Sequence, residues 1–286
     1  MSDTRNEWTV LSMLKWATGF FEGKEVKSPR FSIEWLLADV LEVKRLDLYL
    51  EYDRPLSQVE LEKLRPLVKR RAKHEPLQYI TGDTTFFNSI IKVNPSVLIP
   101  RQETEQLVQI ILDRHSTEGD LNVLDIGTGS GCIPIAVKKE RENWNVTGVD
   151  ISNEALRTAQ LNAELNEVDV RFTQHDLFNS DFESNNNFFD IIISNPPYIL
   201  KSELTSLDNE VKDYEPHLAL FCESTENMYD SIEKFCSKNL SEGGYVYLEI
   251  HENHASQIED IFSKKAWVAK SDQDQNDKPR FVIISK

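Results

Sequence analysis

Asn195-Pro-Pro-Tyr198 ends an apolar run, Asp190-Ile-Ile-Ile-Ser194, and is the stretch best equipped for chemistry. The Asn195 side-chain oxygen and the free carbonyl of Pro196 are two acceptors at close range, able to hold both hydrogens of an –NH2 group. Tyr198 offers that group an aromatic face. Pro196 and Pro197 each fix their own φ and cannot donate to a β-ladder, so they stop the strand and hold the acceptors in place. A planar nitrogen gripped in this way is unreactive, and its lone pair needs aiming. The plain alternative for the tetrapeptide taken alone is a rigid turn with a capping asparagine.

Upstream, Asp125-Ile-Gly127-Thr128-Gly129-Ser130-Gly131 follows another apolar strand and opens a helix. Glycines there allow a tight turn and let backbone approach a ligand. The spacing is G-x-G-x-G, not the dinucleotide G-x-G-x-x-G, and no lysine follows it, which excludes a P-loop. Asp150 ends the next strand, where a carboxylate can take both hydroxyls of a ribose. Asp176 follows the third strand, where an acid can meet an adenine amino group while Leu177 covers the ring. Each has a plain alternative: a packed turn, a helix-capping aspartate, a surface acid. Asp125 either adds negative potential beside a cofactor or is a structural acid at a strand end. His175 reads as a solvated loop residue. His251 and His254 near Glu249 lack both a further ligand and a chemical need for a metal.

The weight lies in convergence. The glycine turn, Asp150, Asp176 and Asn195 each fall at the carboxyl end of a successive strand, so one crevice collects all four. That is the layout expected of an S-adenosylmethionine site with an amine grip beside the sulfonium methyl.

The elements that must position these residues follow from periodicity. Strands are expected near 122–126, 145–149, 169–173, 190–194, 245–250, 266–270 and 281–285, and helices near 132–141, 153–165, 228–240 and 255–262. That alternation predicts an α/β fold with a doubly wound, mostly parallel, Rossmann-like seven-stranded sheet over residues 101–286. Residues 1–75 read as a small helical domain. Trp8, Leu11 and Leu14 recur at helical spacing, Ser28-Pro29 reads as an N-cap with proline at the first helical position, and Ser57 and Glu60 form a capping box. The cations Lys69, Arg70, Arg71 and Lys73 suit a helix C-terminus, or alternatively a partner that carries RNA. Residues 76–100 read as a β-hairpin linker, with a first strand beginning near Tyr79. The polar stretches 184–187 and 272–278 read as loops.

Composition narrows the class. The 286 residues carry 32 basic and 48 acidic side chains, a net charge of −16, which argues against gripping bare nucleic acid through its phosphates. No apolar run is long enough to span a membrane. Cys132, Cys222 and Cys236 are far apart with no CxxC pair, which fits a reducing cytoplasm without disulfides.

The motifs Pro76-Leu-Gln-Tyr-Ile-Thr-Gly82, Leu98-Ile-Pro-Arg-Gln-Glu-Thr-Glu105, Leu124-Asp-Ile-Gly-Thr-Gly-Ser-Gly-Cys132, Asp150-Ile-Ser152 and Asn195-Pro-Pro-Tyr198 occur in that order. The set closely resembles the HemK/PrmC family, glutamine methyltransferases of peptide chain release factors. The resemblance implies methyl transfer from S-adenosylmethionine to the side-chain amide of glutamine in the Gly-Gly-Gln motif of class I release factors. It puts Gly127, Thr128, Gly129, Ser130, Gly131, Asp150, Leu177 and Asn195 at the cofactor, beside Asp176 from the strand-end reading, Asn195, Pro196, Pro197 and Tyr198 at the glutamine, and Arg101 and Glu103 near the cofactor pocket. It implies a cytoplasmic monomer whose helical domain reads the release factor, with no membrane and no direct DNA contact. The chain departs from the family pattern at Ser224-Thr-Glu-Asn-Met228, at Asn276-Asp277 where a glycine is expected, and at Leu177, often aromatic. The competing readings are a ribosomal-protein glutamine, a DNA adenine amine and a silent cofactor-binding adaptor. A DNA target would require base flipping and a basic channel.

Overall fold

The computed structural model describes residues 8–115, 119–178, 182 and 188–286; the stretch 184–187, expected as a loop, lies outside them. The chain divides into two compact units, Met1–Gly82 with Asp208–Tyr214, and Asp83–Leu207 with Glu215–Lys286.

The first unit is helical. α1 (Val10–Glu22) starts at Thr9, whose hydroxyl accepts from the Ser12 N–H at 3.2 Å. α2 (Pro29–Leu41) has proline at its first position, but Ser28 takes φ 48° and its side chain makes no cap bond. The Ser28 carbonyl instead accepts the first helical N–H, from Ser32, at 2.9 Å. A 3-10 turn covers Arg45–Leu50. α3 (Gln58–Arg71) carries the predicted capping box: the Glu60 N–H donates to the Ser57 hydroxyl at 3.3 Å, and the Ser57 N–H to the Glu60 carboxylate at 2.7 Å. α4 (Leu77–Thr81) is helical where a strand was expected to begin. Leu77 and Ile80, three apart, both enter the helical core, and that burial selects a helical turn. Gly82, at φ 87°, then ends it.

The cations closing α3 are largely spent on structure. Arg71 is 3 % exposed and donates to the Ser32 hydroxyl, the Glu75 carbonyl and the Glu210 carboxylate. Arg70 forks onto Glu75.

The second unit opens with the hairpin β1 (Asp83–Phe86) and β2 (Ser89–Lys92). There follow α5 (Gln102–Arg114), β3 (Asn122–Ile126), α6 (Cys132–Glu140), β4 (Asn145–Asp150), α7 (Asn153–Leu165), β5 (Arg171–Gln174), β6 (Phe189–Ser194) and the short β7 (Ile199–Leu200). After a 3-10 turn and α8 (Asn209–Tyr214), which belongs to the first unit, come α9 (His217–Leu220), β8 (Phe221–Cys222) and α10 (Thr225–Asn239). The chain closes with β9 (Leu240–Glu249), α11 (Ala255–Ser263), β10 (Val268–Gln273) and β11 (Pro279–Ser285).

Seven strands form one sheet in the order β10-β11-β9-β6-β3-β4-β5. The five from β9 to β5 are parallel, and β11 and β10 add an antiparallel edge. This is the mostly parallel, doubly wound sheet the sequence predicts. Ile191, Ile192 and Ile193 of β6 are fully buried, as a strand covered on both faces requires. The chain steps from β3 outward through β4 to β5, then returns to β6 on the other side of β3. That reversal is a topological switch point, where ligands bind outside the carboxyl ends of the strands.

Candidate active site

Strand register brings the four predicted strand ends together. Ile126 of β3 lies opposite Ser194 of β6 and Val149 of β4, and Asp150 lies opposite Gln174 of β5. The Ser194 hydroxyl ties β6 to β3 by donating to the Ile126 carbonyl at 2.8 Å. A cavity of about 750 Å³ opens over these ends. Gly127, Gly129, Asp150, Asp176, Leu177, Asn195, Pro196 and Pro197 all line it.

Thr128, Ser130 and Gly131, expected at the same ligand, are not on its wall. Thr128 and Ser130 are buried at 4 % and 2 % exposure. Gly131, at φ 78°, opens α6 so close to α7 that a Cβ there would stand 3.0 Å from the Ala159 Cβ. The turn thus divides its labour: Gly127 and Gly129 face the cavity, and the residues between and after them hold it down. Tyr198 also stands off the wall. Its ring meets His251 edge-on with centroids 6.0 Å apart, and burial pushes its hydroxyl pKa up to about 12.

Asp150 is held at both oxygens, accepting from the Gly129 N–H and the Ser152 N–H, each at 2.9 Å. The Ile151 N–H also acts on this carboxylate, which with about four lone-pair sites keeps some acceptor capacity for a ligand hydroxyl. Burial raises its pKa, opposed by these backbone N–H groups. Asp176 accepts from the Phe178 N–H at 3.0 Å. Leu177 packs on the sheet core, and Phe178, which the sequence reading passed over, lines the same cavity.

His175 departs from expectation. It is half-buried on the cavity wall with its ring 4.9 Å from Phe182 and 5.6 Å from Phe235, and burial lowers its pKa. The apolar ring contacts, invisible in a loop sequence, decide this. Asp125 is 1 % exposed and off the wall; burial pushes its pKa up to about 7, and the Thr128 hydroxyl opposes the shift only in part. Arg101 pairs with the buried Glu215, which also accepts from the Ile99 N–H at 3.3 Å. That pair ties the segment entering α5 to the segment entering α9.

At the amine grip itself, Asn195 Nδ2 donates to the Thr104 hydroxyl oxygen at 3.2 Å, and the Thr104 hydroxyl donates to Glu249 Oε2 at 2.7 Å. Thr104 stands in the first turn of α5. Glu249 follows Leu248, which lies opposite Ser194 in the sheet register. Thr104 is 3 % exposed and Glu249 1 %. Sequence reasoning had Thr104 only as a member of the Leu98–Glu105 motif and Glu249 only beside a dismissed metal site. The available signal was a lone acid in the apolar strand Tyr247-Leu-Glu-Ile250.

The departures from the family pattern have local accounts. The Ser224 hydroxyl caps α10 by accepting from the Asn227 N–H at 3.1 Å, and both residues line the cavity. Asp277 takes φ 58°, the left-handed corner that a glycine would supply and that aspartate tolerates.

Comparison with known proteins places both parts of the chain in one family. A family model described as the PrmC N-terminal domain matches residues 12–82, and one described as the methyltransferase small domain matches residues 100–210. The chain is 40 % identical over 283 residues to the release factor glutamine methyltransferase of Leptospira interrogans, covering 97 % of this chain and 98 % of that one. It is 36 % identical over 277 residues to the enzyme of the same name from Chlorobaculum tepidum, covering 94 % of each. A T. thermophilus 16S rRNA methyltransferase, solved with AdoMet and guanosine, shares the fold at TM-score 0.52 and 16 % identity over 71 % of this chain and 49 % of that one. Matched nearly end to end by such relatives, and carrying Gly127, Gly129, Asn195, Pro196 and Pro197 on one cavity, the chain belongs to the release factor glutamine methyltransferase family.

Proposed function

We propose that this chain transfers a methyl group from S-adenosylmethionine to the side-chain amide nitrogen of the glutamine in the Gly-Gly-Gln motif of class I release factors. The observation that carries the reading is the meeting of Gly127, Gly129, Asp150 and Asn195 on one cavity wall.

The residues present fit the cofactor. Gly127 and Gly129 offer bare backbone, Asp150 keeps acceptor sites for ribose hydroxyls, Asp176 offers an acid to an adenine amine, and Leu177 an apolar cover. When bound, S-adenosylmethionine supplies an electrophilic methyl on a sulfonium. The protein's part is positioning. A glutamine amide nitrogen is a poor nucleophile because its lone pair is delocalised into the carbonyl. Asn195 Oδ1 and the Pro196 carbonyl accept its two N–H bonds, fix its plane and turn the lone pair toward the methyl. Alignment of this kind contributes up to about 7–11 kcal/mol. The product loses its extra proton after transfer, and no side chain is assigned as a base.

Residues 1–75 read the release factor, 76–100 link, and 101–286 carry the chemistry, in a protein acting as a cytoplasmic monomer. The net charge of −16 suits a protein partner better than a bare polyanion. No helix among the described residues is long and apolar enough to cross a membrane. The relatives' names favour a release factor over the competing ribosomal-protein glutamine and DNA adenine. Incubation with labelled S-adenosylmethionine and, in separate reactions, release factor, ribosomal protein and duplex DNA tests the choice. Label is expected in the release factor alone; label in either other substrate but not in the release factor overturns it.

A further inference from the structure

We propose that Thr104 and Glu249 are positioning residues that set which end of the Asn195 amide faces the substrate. The inference rests on the reading of Asn195 as the acceptor that grips the glutamine –NH2. It starts from proton bookkeeping. A hydroxyl has one proton to give. With Glu249 ionised, the carboxylate 2.7 Å away can only accept, so that proton goes to it. The Thr104 oxygen can then only accept, so Asn195 must present its –NH2 to Thr104 at 3.2 Å and leave Oδ1 for the cavity. A protonated Glu249 reverses the logic. Its O–H can donate to Thr104, Thr104 can donate to Asn195 Oδ1, and the flipped amide then offers the substrate –NH2 a donor in place of an acceptor. The relay is a polarity switch built of two hydrogen bonds, and both supporting groups are buried where water cannot substitute for either.

Glu249 is placed to titrate in the working range. Burial pushes its pKa up to about 7, against the Thr104 hydrogen bond. The charged and titratable groups around it come from several elements: Arg101 and Glu103 at the start of α5, Arg280 on β11, Tyr198 after β6, Tyr229 on α10 and Cys132 on α6. The two arginines favour the ionised form and Glu103 opposes it.

Four variants and three readouts test this. Wild-type kcat for release factor methylation is expected to fall about tenfold or more as the pH drops through about 7. Glu249→Gln should be slow at high pH, near the wild-type acid plateau, and flat with pH, because a neutral amide does not enforce either polarity. Thr104→Val should lower kcat at least tenfold, and Thr104→Ser should recover most of it. Affinity for S-adenosylhomocysteine by calorimetry should stay within about threefold in all three variants. The third readout needs no substrate: the Asn195 side-chain –NH2 signals in a 15N spectrum of the free protein, assigned by their loss in Asn195→Ala. They should shift with pH in wild type and not in Glu249→Gln. An acid limb that persists in Glu249→Gln overturns the relay. So does a Thr104→Val variant with wild-type kcat, or a loss of cofactor affinity parallel to the loss of rate. If wild type fails to methylate the release factor, the functional reading falls; the Asn195 signals still decide the relay.

Discussion

On the proposed reading the chemistry turns on Asn195, whose side-chain oxygen at the switch point can take an amide hydrogen. Asn195→Ala removes that acceptor and leaves the glycine turn, Asp150 and Asp176 in place. The expected result is a fall in kcat of about 10²–10³-fold, the size seen when one preorganised hydrogen bond is removed from an active site. Cofactor affinity should stay within about tenfold by calorimetry; unchanged turnover would show the grip misassigned. Glu249 carries a separate, thermodynamic signature. Its folded pKa of about 7 lies above its ordinary value of 4.5, so the folded state binds this proton more tightly than the unfolded chain does. Its stabilising contribution is therefore fully present below about pH 4.5 and is lost as the pH rises through about 7. A difference of that size corresponds to about 3 kcal/mol. Glu249→Gln should thus raise the unfolding free energy at pH 8 by up to that amount and change it little at pH 4.5. Urea titrations at the two pH values check this, and an equal gain at both would contradict it. The protein would then be keeping a costly buried acid for the sake of orientation.

At the scale of the element, the glycine turn between β3 and α6 shows why three glycines of one motif are not equivalent. Gly127 and Gly131 both take positive φ, 74° and 78°, so an added side chain is strained at either. At Gly131 the new Cβ also meets Ala159 of α7 at 3.0 Å, whereas at Gly127 nothing lies within 4 Å. Gly131→Ala should cost about 2–4 kcal/mol of stability, the sum of left-handed strain and overpacking. Gly127→Ala should cost about 1–2 kcal/mol and act chiefly by weakening cofactor binding, since Gly127 lines the cavity and nothing in the protein lies within 4 Å of an added Cβ. Chemical denaturation and calorimetry on the two variants separate these effects, and equal stability losses would contradict the division. The motif alone announced a tight turn at a ligand. It did not say which glycine meets ligand and which meets helix, because that depends on α7, a partner distant in sequence.

For the whole molecule, the sheet was legible because its strands are short apolar runs punctuated by turn residues, as in Asp190-Ile-Ile-Ile-Ser194 ending at Pro196. The cofactor-side acids were legible because each ends such a run, and register alone then brings Asp150 and Asn195 to one cavity. What the sequence hid depends on contacts across the fold. Thr104 and Glu249 are 145 residues apart and meet only because α5 packs on the end of β9. Tyr79 and Ile80 lie in a helical turn because their neighbours bury, not because local preference asks for it. His175 is half-buried because Phe182, and Phe235 of α10, pack against its ring. Tyr198 lies next to two cavity residues in sequence yet turns its ring to His251, a partner the tetrapeptide does not reveal. The most direct test of the central claim is tandem mass spectrometry of release factor after incubation with the protein and S-adenosylmethionine. The geometry predicts one added methyl, on the side-chain nitrogen of the Gly-Gly-Gln glutamine. A methyl on any other residue, or none at that glutamine, would contradict it.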